Sequence, residues 1–144
     1  MTTAEQLTQV FNDNFVTYFR SHAAHVNIMG RNFTSDHKLL GGIYERRQEQ
    51  IDVIAELLRS IGAFMPASIA EILETSEISD DFIEGNSEEL LATVRYNLEQ
   101  LKTCYEELNE VADEEEHDEI SNYAQEQILD IAKSLWMLDS TLNG

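Results

Sequence analysis

Four stretches of this chain place apolar side chains three and four residues apart, and that period specifies amphipathic α-helices. The first stripe is Leu7, Phe11, Phe15, Tyr18, Val26 and Met29; the second is Leu40, Ile43, Ile51, Ile54, Leu58 and Ile61. The third holds Leu90, Leu91, Val94, Leu98, Leu101, Tyr105 and Leu108, and the fourth Ile120, Ala124, Ile128, Ile131, Leu135 and Leu138. The single proline, Pro66, and the glycines Gly30 and Gly62 fall between stripes, where helix breakers are expected.

End signals set the expected spans. The first helix runs from near Thr3, read as an N-cap with Gln6 three residues on, to about Met29, with Gly30 as its stop. Thr34 or Ser35 caps the second, which continues to Ile61. The segment from Met65 to Ser79, opened by Pro66 and carrying Ile69, Ile72 and Leu73, reads as a short helix inside a long connection. Ser87 caps the third helix, and the fourth covers Asp118 to Leu142. Four helices of about 25 residues with one long connection between the second and third make an all-α, ferritin-like four-helix bundle. Residues 1–144 form a single domain, with no internal repeat and no linker.

Composition narrows the class further. Glu, Gln, Leu, Ile and Ala are abundant and 42% of residues are apolar, the make-up of a helix-rich soluble protein. The lone Cys104 forms no intrachain disulfide and fits a reducing compartment. Met1 to Gln6 carries no positive charge and no apolar core, so it is not a secretory signal, and no run of apolar residues is long enough to span a bilayer. A cytoplasmic location is expected. With 28 acidic and 9 basic residues, the formal charge of −19 opposes phosphate backbones and concentrates cations. The densest charge run, Glu106 to Glu119, reads either as a solvated face with an interhelix turn or as an acidic patch.

The chemistry concentrates in His25, His37, Asp52 and Glu56. Imidazole nitrogen and carboxylate oxygen suit a first-row metal such as iron. His37 and Asp52 share one unbroken helix, so their 15-residue separation places them roughly 22 Å apart on a rigid rod. One helix cannot bring both to one ion, and a site using all four must be completed by a second copy. At about 100° per residue, His37, Asp52 and Glu56 fall on one flank beside the apolar stripe. If two such helices lie antiparallel across a two-fold axis near Glu45–Arg46, His37 of one faces Asp52 and Glu56 of the other, giving two identical sites. His25, just before the turn, can reach the same place. His22 falls on the core stripe and reads as structural. Glu114-x-x-His117 matches a di-iron ligand pair, but it occurs once and in the acidic turn, which disfavours an intrabundle centre. No Gly-rich phosphate loop, nucleophile–base pair or Cys-x-x-Cys is present.

The stretch His25-Val26-Asn27-Ile28-Met29-Gly30-Arg31-Asn32-Phe33, followed by His37, Asp52 and Glu56 and closed by Trp136-Met137-Leu138, resembles the signature of Dps proteins, the mini-ferritins of bacteria. The resemblance spans nearly the whole chain. It implies an inter-subunit ferroxidase centre with His25 and His37 from one chain and Asp52 and Glu56 from its partner. It also implies a hollow dodecamer that oxidises Fe(II), typically with hydrogen peroxide, and stores ferric mineral. The family's ion pores lie at three-fold axes lined by the region of Asp118, Asn122 and Glu126; these three share one helical face, which reads either as such a pore lining or as a solvated surface. Val26 stands where many members carry tryptophan, and Gly41 where many carry aspartate. DNA-binding members usually have a basic tail; this chain begins almost at its first helix, so DNA binding is not expected. Gly41-Gly42 inside a helix suggests close backbone approach at a dimer contact. The competing class is a non-enzymatic acidic shell or interaction protein holding a structural zinc at the same site, since the same ligands suit zinc.

Overall fold

Thr2 opens the first helix, α1 (Thr3–Asn27), through a reciprocal capping box with Glu5. The cap is one residue earlier than Thr3, because Thr3 is itself engaged elsewhere: its N–H and hydroxyl both donate to the Glu115 carboxylate, at 2.6 and 2.5 Å. In this computed structural model, which describes residues 1–143, α1 is followed by α2 (Phe33–Ser60), the short α3 (Ile69–Thr75), α4 (Ser87–Glu114) and α5 (Asp118–Leu142). The described residues contain no strand.

The helix ends follow local rules with small departures from expectation. α1 stops at Asn27, and Gly30 takes a φ of 136° that turns the chain into α2. Val26 and Met29 consequently lie outside the buried stripe and are exposed, while Ile28 packs inward. α2 starts at Phe33 with no side-chain cap, so neither Thr34 nor Ser35 opens it. Its far end is closed by Gly62 at φ 87° with paired bonds from Gly62 N–H to Arg59 O and from Ala63 N–H to Leu58 O, the Schellman arrangement. Asn86, not Ser87, caps α4 through a capping box with Glu89.

The acidic run is mostly helix. α4 continues through Glu114, and the reversal to α5 takes only three residues. Glu116 there adopts a positive φ of 62°, which lets His117 N–H reach Ala112 O at 2.8 Å. A non-glycine residue in this conformation is strained by roughly 1 kcal/mol or more.

Leu7, Val10 and Phe11 of α1 meet Leu40, Ile43, Ile54 and Leu58 of α2, the stripe from Leu90 to Leu108 on α4, and Ile120, Ala124, Ile131 and Leu138 of α5 in one buried cluster. Polar pins fix the helices about this core. Asp13 accepts bonds from Ser76 Oγ and Glu77 N–H, anchoring the long connection, and Arg20 donates to Asp81 O and Asn97 Oδ1. At mid-bundle Arg47 is 1% exposed and bonds Asp130 at 2.7 Å and Gln127 at 3.3 Å on α5. Tyr105 donates to Tyr123, which donates to Gln50 Oε1 at 2.7 Å. Burial pushes the Tyr105 phenol up to about 12. These side chains occupy the middle of the bundle, where a within-chain di-iron centre would require converging carboxylates and histidines.

Candidate metal centre

The α1–α2 turn brings His25 and His37 face to face. Gly30 reverses the chain so that the last turn of α1 lies against the first turn of α2. The two imidazoles stack with centroids 3.8 Å apart and planes 15° from parallel. Each Nδ1 meets the other residue's backbone oxygen: His25 Nδ1 with His37 O at 2.6 Å, and His37 Nδ1 with His25 O at 2.7 Å. A carbonyl only accepts, so each Nδ1 must carry the proton. Nε2 of both rings is then left as a lone-pair donor, the form in which neutral histidine binds a metal. The reciprocal bonds fix tautomer and ring orientation before any ion arrives.

Gly41 makes room for this pair. A Cβ at Gly41 would lie 3.0 Å from His25 Cε1 and 3.2 Å from His25 Nδ1. The glycine therefore receives the His25 ring within the chain, a reason for Gly41 that needs no second copy. At Gly42 a Cβ would meet the Arg46 guanidinium at 3.2 Å. Phe33 covers the other face of His37, at 4.9 Å between centroids.

Asp52 and Glu56 lie one turn apart on α2, both exposed, and the chain does not bring them to the histidines. Among the described residues, no three His, Cys, Asp or Glu side chains of one chain converge on a common point. His22 is half-buried, stacked on Tyr44 at 4.0 Å with planes 4° apart, in keeping with a packing role. Glu114 and His117 sit at the far end of the bundle, where His117 Nδ1 lies 3.7 Å from Glu119. Asp118, Asn122 and Glu126 form an exposed row at the start of α5. Gly41 as a seat for His25 and the ring of Tyr44 beside it were not singled out as functional from sequence. The one available signal was a tyrosine seven residues, two turns, beyond His37.

Comparison with known proteins agrees with this architecture. The ferritin-like domain family matches residues 4–144. Antigen TpF1 of Treponema pallidum is 34% identical over 141 residues, spanning 97% of this chain and 80% of its own. The DNA protection during starvation protein of Helicobacter pylori is 25% identical over 143 residues, 99% of each chain. The crystal structure of TpF1 superposes with a TM-score of 0.92 at 33% identity, covering 99% of this chain and 92% of that one. A Dps protein from Bacillus brevis gives 0.92 at 26%, covering 97% and 94%. The fold and the family match define a ferritin-like protein. Within that class the chain belongs to the Dps family, whose named members it matches over 97 to 99% of its own length.

Proposed function

We propose that the chain is a ferroxidase subunit of an iron-storage shell. Fe(II) is the substrate, held by His25 and His37 Nε2 of one chain and by Asp52 and Glu56 of a second, and oxidised there with hydrogen peroxide. Ferric product then accumulates as mineral inside a hollow dodecamer. The observation that carries this reading is the reciprocal locking of His25 and His37, which leaves two oriented imidazole donors at one end of α2. The exposed carboxylates of Asp52 and Glu56 stand roughly 22 and roughly 28 Å further along the same helix. An antiparallel pairing of two α2 helices unites the halves twice, as an isologous contact requires.

The parts divide the chemistry. Two neutral imidazoles bind Fe(II) and two carboxylates supply the charge that favours Fe(III). Peroxide accepts two electrons, so oxidising two Fe(II) per peroxide releases no hydroxyl radical. Asp118, Asn122 and Glu126 would line the iron entry route. DNA protection, for which several relatives are named, would here come from removing iron and peroxide. A surface of formal charge −19 per chain is poorly suited to coating a duplex.

Iron uptake by the purified protein, followed at the ferric absorbance with peroxide and with oxygen, tests the reading. Fast oxidation, abolished by His37→Ala, is the expected result. Unchanged oxidation in that variant would reject the site. A stable monomer or dimer by light scattering would remove storage, and tight zinc binding without iron oxidation would replace the ferroxidase by a structural metal.

A further inference from the structure

Both ends of α2 carry apolar side chains that the chain itself leaves uncovered. Val26, Met29 and Phe33 are exposed around its start, Met29 by 80%; Phe64 and Met65 are exposed past its end, Phe64 by 77%. Clusters of this kind mark contact surfaces. Phe64 is not a loose tip. The Arg59 guanidinium lies 4.2 Å over its ring, and Arg59 Nη1 donates to Ala63 O at 2.9 Å. This cation–π stack and the turn at Gly62 fold the ring back beside the last turn of α2. The two clusters stand at opposite ends of a 28-residue helix, roughly 40 Å apart. Within one chain they cannot meet.

The pairing that completes the metal centre brings them together. Arg59 falls at about 40° from His37 around the helix, on the flank that carries Asp52 and Glu56. With the midpoint of those carboxylates level with His37 of the other chain, Arg59 and the ring beneath it lie roughly 7 Å further along the axis. Phe33, one turn before His37, lies roughly 6 Å in the same direction. We propose that Phe64 of each chain, backed by Arg59, seats on Val26, Met29 and Phe33 of its partner and covers the His25–His37 pair on the side of the α1–α2 turn. The inference rests on the paired α2 helices of the ferroxidase reading. Its occupant is a second copy because the contact is continuous with the one that carries Asp52 and Glu56 to the histidines. By symmetry it forms twice. It fixes the register of the two helices, keeps water from the bound iron on that side, and holds Phe33 between His37 and the partner's ring.

Thiol cross-linking tests the contact without iron. Chains carrying Met29→Cys and chains carrying Phe64→Cys are dissociated, rebuilt together and treated with a short bismaleimide; the native Cys104 is buried and does not compete. Dimers linked from position 29 of one chain to position 64 of another, identified by peptide mass spectrometry, are expected in the mixture. Neither variant alone should link, since the two-fold sets like residues at opposite ends of the pair. Phe64→Ala, which removes no ligand, should weaken Fe(II) binding and raise the subunit concentration at which assemblies dissociate, each several-fold. Assemblies that oxidise iron without forming this link, or that link Phe64→Cys only to itself, would overturn the contact and leave the ferroxidase reading standing. The link together with an unaltered Phe64→Ala would overturn the covering role. The link in protein that forms no ferric iron would keep the contact and reject the ferroxidase, and the absence of both would overturn the two together.

Discussion

Gly41 is a residue whose helical propensity and whose packing pull in opposite directions. Alanine there would favour the helix by about 1 kcal/mol, yet its Cβ would press on a His25 ring already held by a carbonyl. Gly41→Ala should therefore leave thermal stability within about 1 kcal/mol of the parent while weakening Fe(II) binding and slowing oxidation; a titration beside a melting curve checks both. Glu115 offers a pH test. Bonds from the Thr3 hydroxyl and N–H hold its carboxyl below the usual carboxylate range. A lowered folded-state value gives stability that is present above the ordinary range and lost as pH falls through the folded value. The melting-temperature advantage of the parent over Glu115→Gln should thus be full at neutral pH and shrink as pH falls below about 4. An advantage constant with pH would show that Glu115 acts by packing alone.

The helices were legible in the sequence because each carries a stripe, and the stripes of α4 and α5 are buried or half-buried at every named position. Their ends were less so. Capping depends on which of two adjacent polar residues is left free, and Thr3 is diverted to Glu115 by a fold-level contact that local sequence does not encode. The polar layer at mid-bundle was also illegible. Arg46 and Arg47, an adjacent basic pair close to the proposed axis, both turn onto Asp130 of α5, with Arg47 fully covered. Only the approach of a second helix decides that. Removing the carboxylate strands a buried guanidinium, so Asp130→Ala should cost about 3 kcal/mol in urea unfolding, far more than an exposed acid would. At the α4–α5 turn, Glu116→Gly relieves the positive φ and should stabilise by up to about 1 kcal/mol in urea unfolding; a destabilised variant would show that glycine's unfolded-state freedom outweighs the strain.

At the scale of the whole molecule, half of the candidate site was legible and half of its logic was not. The candidate ligand types stand in the sequence, and the need for a second chain, if all four bind one ion, follows from spacing on a rigid helix. The stacked rings and crossed carbonyl bonds of His25 and His37 depend on how α1 meets α2 around Gly30, which no periodicity conveys. Pore and surface charge give a separate test. Asp118→Asn with Glu126→Gln should slow iron uptake without changing final capacity, and an unchanged rate would reject that route. The central claim is that each site is built from two chains, and complementation reaches it most directly. His37→Ala and Asp52→Ala should each abolish fast Fe(II) oxidation. Mixed assemblies, dissociated and rebuilt together, should regain about a quarter of the parent sites, because random pairing across a two-fold contact unites intact halves that often. Recovery near that level is the predicted result; no recovery in well-mixed assemblies would contradict the account and place the site within one chain.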